Sequence, residues 1–343
     1  MRGPFAFASA LLLVSSSAAA QTVSVGGALE LTIEGEVDFE IEFADEDFGF
    51  SADGEAPREW FFNQDHEIEF EARASADRFD MEYGVNLQVE NAGGSGAGFD
   101  EAWIFFEGSF GELHLGDDDD IYDFTGFAFG AATVARGTGG VDGDQRTAPE
   151  FELASSGEAT KILYFSPVIF GFSGAFSYAI DADDRGTNGG GNEATDLVTL
   201  GGNYQGSLFG VDVGGFAAAT RTTVEGDGKV GWAIGGLIGA FGIDIAGQYG
   251  DEDGDFPGDA LDGQPRENFW NIGIGGDVAN YGLSFNFQRD KFRGDHQRSN
   301  YIIGGDTGIL PGVSLRGEAA YVREDGDDDI SGFNGLVQVH TEF

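Results

Sequence analysis

Hydrophobic and polar residues alternate along most of this chain with a period of two, and the first run is the longest. From Val23 to Phe43 the odd positions read Val, Val, Gly, Leu, Leu, Ile, Gly, Val, Phe, Ile, Phe, and the even ones are Gly, Ala, Ser, Thr or carboxylates. Successive side chains of a strand point to opposite faces, so the run predicts one strand with an apolar and a charged side. Strands in globular proteins usually have about 5–6 residues. An alternation kept up this long predicts a tall sheet standing between two different media.

The pattern recurs at regular intervals. Ile68, Phe70, Ala72 and Ala74 alternate with Glu67, Glu69, Glu71 and Arg73, and Phe79, Met81, Tyr83, Val85, Leu87 and Val89 form the next apolar face. Further segments pair as "FDEAWIFFEG" with "GELHLG", "KILYFSP" with "FSGAFSYAID", "VGWAIGGLIG" with "IDIAGQYG", and so on to "FNGLVQVHTEF". Tight glycine-rich links such as "GSFG", "GAFG" and "GILPG" take turns with long acidic ones such as "DADDRGTNGGGNEATD", "TRTTVEGDG" and "REDGDDDIS". Short turns at one end and long loops at the other predict an up-and-down meander of about sixteen strands.

A meander must dispose of its two edges. The chain ends in mid-strand: Val337, Val339, Thr341 and Phe343 lie on one side, Gln338, His340 and Glu342 on the other. Terminal residues fray unless they are tied down. The ending therefore predicts closure, with the strand of Phe343 pairing with the one that starts near Val23. A closed barrel also accounts for the two faces, apolar toward lipid and polar toward water inside. The catalogue of connections has one exception. Asp117 to Thr160 hold no convincing strand pair but do hold Phe124, Phe127 and Phe129. Loops beyond about 12–15 residues are usually functional, and clustered aromatics predict that this one folds back against the inner wall.

Composition narrows the setting. "MRGPFAFASALLLVSSSAAA" has a basic residue, a short apolar run and Ala18-Ala19-Ala20, the order of a secretory signal. The expected division is a signal peptide at 1–20, cleaved near Ala20, and a barrel over 21–343 with a constriction loop at 117–160. No later stretch is apolar for the ~20 residues that a spanning helix needs. There is no cysteine, so disulfides and thiolate chemistry are excluded. The balance of 61 Asp+Glu against 17 Lys+Arg, net -44, argues against nucleic acid as a partner. The 32 Phe residues argue against disorder.

The signal and long first strand, "FDEAWIFFEGSFGELHLGD" leading into a long third loop, and the terminal Phe343 together resemble the general porins of alpha-proteobacterial outer membranes. The resemblance implies an outer-membrane diffusion channel for small hydrophilic solutes and ions, usually a homotrimer in contact with lipid and lipopolysaccharide. It also implies a loop whose acidic residues face a basic cluster on the wall. Acidic residues are plentiful: Asp117, Asp118, Asp119, Asp120, Asp123, Asp142 and Asp144 on the loop, with Glu67, Glu69, Glu71 and Glu318 at inward positions. The basic side departs from the family, since Arg73 and Arg316 are almost the only strand cations at inward parity. A carboxylate-lined, cation-preferring pore is the expectation.

Other chemistry finds little support. The four histidines are scattered and expected at the rim or in the lumen, and neither G-x-S-x-G nor HExxH occurs, so no enzyme is expected. Asp251, Asp253 and Asp255 alternate loosely as in a calcium loop but lack the glycine that such a loop needs. No cofactor is expected, with Ca²⁺ or Mg²⁺ on acidic loops as the one alternative. A substrate-selective channel, for sugars for instance, and a structural or adhesive barrel are the competing functions. Most Phe and Tyr fall on the apolar parity, which favours general diffusion over sugar stacking.

Overall fold

The computed structural model describes residues 21–25, 29–44, 60–76, 78–90, 98–122, 124, 126, 129–138, 153, 156–181, 194–224, 226–253, 260–261, 264–326 and 329–343. The strands are β1 (Gln21–Val25), β2 (Leu29–Ala44), β3 (Trp60–Ala76), β4 (Met81–Glu90), β5 (Gly98–Gly108), β6 (Gly111–Asp117), β7 (Thr160–Phe165), β8 (Phe172–Asp181) and β9 (Ala194–Leu208). They continue as β10 (Val211–Val224), β11 (Asp227–Ala240), β12 (Ile243–Glu252), β13 (Ala260–Leu261), β14 (Gln264–Val278), β15 (Tyr281–Phe292), β16 (Gln297–Leu310), β17 (Val313–Asp325) and β18 (Ile330–Glu342). Each pairs antiparallel with the next around the molecule, and β18 returns to β2 with Glu342 opposite Glu36 and Asn334 opposite Ala44. Setting aside β1 and the two-residue β13, the ring holds sixteen strands, the number that the alternation predicts. The expected signal-peptide segment 1–20 and Asp123, Phe127, Asp142, Asp144 and Asp255 lie outside the described residues.

The start of the ring corrects one expectation. The run from Val23 to Phe43 is two strands, not one: the chain reverses between Val25 and Leu29, and β1 lies antiparallel along β2 with Val23 opposite Leu31. Alternation passes through the reversal unbroken because directly opposed residues share a face. The dipeptide Gly26-Gly27 was the only local sign of a turn. β1 thereby continues the line of β18. Phe343 N–H donates to Gly35 O (2.9 Å), Gly35 N–H donates to Phe343 O (3.1 Å), and two residues farther along β2, Ile33 pairs with Gln21. β1 and the end of β18 meet beside one strand, which is what ties Phe343 down.

Three expected long links, "TRTTVEGDG", "KFRGDHQRS" and "REDGDDDIS", are shorter than the sequence suggests. β10 and β11 run to Val224 and Asp227, which are register partners, so most of "TRTTVEGDG" is ladder. β15 reaches Phe292 and β17 reaches Asp325. The polar residues there are pore-side or rim-side members of strands, and backbone pairing holds whether or not a side chain is apolar.

The two faces invert the arrangement of a soluble protein. Leu31, Ile33, Val37, Phe39, Ile41 and Phe43 of β2 are exposed outward, while Asp38, Glu40 and Glu42 are buried inward. Toward the long-loop end an outward aromatic row crosses the strands. Ring centroids of Phe287 and Tyr301 are 4.8 Å apart, those of Tyr301 and Tyr321 6.2 Å, and those of Tyr321 and Phe333 4.9 Å. Such a row is the interfacial girdle of a membrane barrel. His66 also stands at an outward position, opposite Val37, so one histidine belongs to neither rim nor lumen.

Deleting Phe343 removes both hydrogen bonds to Gly35 that link β18 to β2 at the closure. At about 1 kcal/mol net each, the folded barrel should lose about 2 kcal/mol. The expected result is a lower midpoint for the heat-dependent gel-mobility shift; an unchanged midpoint would show that closure does not depend on the last residue.

Candidate functional site: the lumen and its loop

The ring strands flanking the long loop are the shortest, seven residues in β6 and six in β7. Asp117 and Thr160 close their ladder, and the Thr160 hydroxyl donates to the Asp117 carboxylate. From there the chain turns inward and follows the inner wall in strand order. Asp120 reaches β8 and β9, Tyr122 hydrogen-bonds Thr220 of β10 at 2.9 Å, and the Phe129 ring lies 6.3 Å from that of Phe216 on the same strand. Ala131 N–H donates to Asn271 of β14 (2.8 Å), Arg136 N–H to Ser284 of β15 (2.8 Å), and Thr138 N–H to Glu318 of β17 (3.1 Å). The long loop is inside the barrel, as its aromatics predict.

The wall receives it along a track of inward glycines. A methyl group on Gly214 would stand 2.9 Å from the Phe129 ring, and one on Gly273 2.7 Å from a Val134 methyl. At Gly275 and Gly304 it would collide with the carbonyl oxygens of Val134 and Arg136. No side chain fits between wall and loop at these points, which is why β10, β14 and β16 carry glycine at pore-side positions. Here Ile121, Tyr122, Phe129 and Leu153 form an apolar cluster with Leu163, Ala175, Phe216, Ala218, Ala233 and Phe269 of the wall. Most aromatics point outward, but several face inward: Phe165, Phe216 and Phe269 here, and Phe105 under the Arg73 guanidinium at 4.7 Å.

The loop's carboxylates divide into two kinds. Asp120 is fully buried and accepts from Ser177 (2.6 Å), Thr199 (3.2 Å) and Ser156, while Asp118 is buried with an oxygen 2.5 Å from His114 Nδ1. Both were expected to line the constriction. They instead fix the loop to the wall, because their oxygens are consumed by protein donors. Lys161 assists through its ammonium, which donates to the carbonyl oxygens of Asp118 and Gly157. Asp119 is partly exposed, and burial together with neighbouring Asp118 holds its carboxyl above the usual range. Asp117 is also partly exposed.

Basic residues are more numerous on the inner wall than parity counting suggests, and carboxylates answer them. Arg266 is buried with its Nε 2.9 Å from Glu252 and an Nη 3.8 Å from Asp290, and Arg298 is 2.8 Å from Glu324. Arg73 binds Glu71 (2.9 Å), Glu82 (2.7 Å) and Glu107 (2.8 Å) at once. The loop itself supplies Arg136, 3.5 Å from Asp277. Arg266 and Arg298 were missed because their strands extend beyond their apolar runs.

Among the described residues the loop's contacts run from β6 to β17, and on β2 and β3 Glu34 stays exposed and Glu36, Glu67 and Glu69 partly exposed on the pore side, whereas Asp38, Glu40 and Glu42 are buried. That wall is acidic. Register sets Glu34 opposite Glu69, Glu36 opposite Glu67, and Asp38 opposite Asp65 on the pore side. Glu69 accepts from Asn86, Asp38 accepts from Gln338 (3.1 Å) and lies 2.7 Å from His340 Nδ1, and Glu40 accepts from Gln338 (2.7 Å). Like charges directly opposite one another destabilise a sheet, so the arrangement is a feature of the water-filled face rather than of folding. Glu318 is spent on the loop, and Arg316 stands opposite Gln338 near this wall. Of the weak metal residues, Asp251 lies 3.4 Å from the Tyr249 hydroxyl and Asp253 accepts from Val230 N–H (3.2 Å). No group of three or more His, Asp or Glu among the described residues could hold a metal ion.

Comparison with known proteins agrees with this architecture. A substituted porin of Rh. blastica is similar over 91% of this chain and 100% of its own, with 14% identity and a TM-score of 0.63. An anion-selective porin from Comamonas acidovorans is similar over 92% and 100%, with 17% identity and a TM-score of 0.61. At these identities the likeness establishes the fold. No curated protein sequence matches. The sequence profile of Gram-negative porins matches residues 7–327, and the chain belongs to that family.

Proposed function

We propose that this porin passes small hydrophilic solutes by diffusion and prefers cations. The wall of paired carboxylates on β2 and β3 carries the reading, since among the described residues Arg73 is the only Lys or Arg on those two strands. At physiological salt the Debye length is about 8 Å, so charges on distant loops are screened from an ion in the pore. Wall charges act within a few ångström, where a unit pair at 4 Å is worth about 4 kcal/mol at an effective ε of 20. Rings of Asp and Glu at close quarters select cations for this reason. The fold alone does not choose the sign, because the similar Comamonas porin is anion-selective.

The sign is measured as a reversal potential across a bilayer in a KCl gradient. Cation selectivity at neutral pH is expected, and replacing Glu34, Glu36, Glu67 and Glu69 together by Gln should lower the cation-to-anion permeability ratio several-fold. An anion-selective wild type would refute the reading. Asp119 adds a pH dependence: with its carboxyl held above the usual range, it loses its charge at a higher pH than an ordinary aspartate. Cation preference should therefore weaken on acidification before ordinary carboxylates titrate, and an Asp119→Asn variant should lack that early component.

Removing residues 124–132 takes away Phe124, Gly126 and Phe129 to Ala132, whose described contacts reach the inner wall from β6 to β14. Single-channel conductance should rise, and a deletion variant of unchanged conductance would mean that this segment does not limit the pore.

Export and assembly complete the proposal. The first twenty residues act as a cleaved export signal, and the apolar outer wall of Leu29, Leu31, Val337 and Val339 near the closure serves a symmetric homotrimer. Terminal sequencing of protein from outer membranes should begin at Gln21, and cross-linking in mild detergent should give three chains. A retained leader or a monomer would overturn the corresponding half.

A further inference from the structure

The long loop brings a cation to the short-turn mouth of the barrel, where the inner wall is acidic. Between Asp117 and Thr160 the sequence has two bases, Arg136 and Arg146, and Arg146 lies outside the described residues. Arg136 follows the single helical turn Ala131–Val134, and the backbone around it is fixed to the wall. Besides the bond to Ser284, Gly137 N–H donates to the Asp306 carboxylate (3.4 Å). Ser284 stands three residues beyond the start of β15, and Asp277 is one residue short of the end of β14. At about 3.4 Å per residue, this part of the loop therefore lies within about 10 Å of the turn joining the two strands.

The aspartates at this level form two matched pairs. Asp212 of β10 and Asp244 of β12 are both opposite Gly239 of β11, and Asp277 of β14 and Asp306 of β16 are both opposite Gly282 of β15. All four share the parity of the inward residues of their strands, Phe216, Ala246, Asn271 and Ile302. The glycines leave room for carboxylates beside them. A methyl group on Gly239 would collide with the Asp244 carboxylate, and one on Gly282 would stand 2.6 Å from Asp306 Oδ2 and 2.7 Å from Arg136 Cδ. The stem of Arg136 thus fills the notch of the second pair, with its Nε 3.5 Å from Asp277 and its side chain 14% exposed. Its charge also reaches Asp244, which otherwise faces the like charges of Asp212 and Asp277. Arg316 of β17, opposite Asp306, is the second cation at this level.

Several carboxylates within reach of one another favour a multivalent cation over a monovalent one, because one ion engages several charges in a single binding event. A guanidinium anchored among them competes as a tethered group, at an effective concentration that a passing solute must exceed. We propose that Arg136 is a specificity-determining residue: it is the resident counter-ion of Asp244, Asp277 and Asp306, so that monovalent ions pass the short-turn mouth while divalent ions and polyamines are not held there. The inference needs a conducting pore and not a cation-preferring one, which the reversal potential tests separately.

The probes are magnesium and spermidine, added to the full-length porin in a bilayer bathed in KCl and read as loss of single-channel conductance. Arg136→Gln should be half-blocked by spermidine at a concentration at least tenfold below that needed for the wild type, with a smaller shift for magnesium. Arg136→Lys keeps the charge and should stay near the wild type. Removing the opposing charges as well, in Arg136→Gln/Asp277→Asn/Asp306→Asn, should return the block to the wild-type range, a rescue that the mere loss of a loop anchor would not give. Arg136→Cys makes the test independent of the folding of the Gln variant, since the chain has no other cysteine. A cationic thiol reagent should restore resistance to spermidine, and a neutral reagent of similar size should not. Equal block of the wild type and Arg136→Gln, or equal effects of the two reagents, would overturn the proposal. So would a sensitivity that persists in the triple variant, since a displaced loop rather than uncompensated aspartates would then be its cause.

Discussion

A backbone crossing hydrocarbon has no water to hydrogen-bond, so every N–H and C=O must find a partner in the protein. For strands the only complete solution is a ring. The rest of this structure follows from that constraint. The last strand must find the first, and so Phe343 binds Gly35 while β1 fills the remaining length of β2. Because the ladder supplies the cohesion, the inner face is released from the duty of forming a core. It can carry Glu34 opposite Glu69 and Asp38 opposite Asp65, pairings that a marginally stable soluble sheet would tolerate poorly.

The interior is nevertheless divided. On one side the loop lies against the wall as a second layer with a small apolar cluster of its own, seated on glycines that admit its backbone. Arg266 and Arg298 are each matched by carboxylates, so little net field arises from them. The other side keeps an excess of carboxylates facing the lumen. The family pattern of an acidic loop facing basic residues is therefore altered in both members: loop acids such as Asp118 and Asp120 become fasteners, and the wall of β2 and β3 becomes the acidic surface.

Charge is also sorted between the outside and the inside. Arg289 and Arg323 stand on the outer surface of β15–β17 above an aromatic girdle, while the paired carboxylates of β2 and β3 face the lumen. A net charge says nothing of this sorting; only the parity of each residue within its strand does.

Much of this was legible in the sequence, for a physical reason. Strand alternation is local, since each side chain's face is set by its neighbours in the chain, and from it came the strand number, the closure through Phe343, the acidic face of β2 and β3, and the inward fold of a loop too aromatic to sit in water. What the sequence alone left open depends on proximity through space. Alternation ran straight through the reversal between Val25 and Leu29 because opposed residues share a face. Pore-side glycines such as Gly275 and Gly304 become meaningful only when Val134 and Arg136 arrive from a loop more than a hundred residues earlier in the chain. Whether an aspartate lines water or clasps the wall was decided by the hydroxyls of Ser177 and Thr199, which only the closed barrel brings to Asp120.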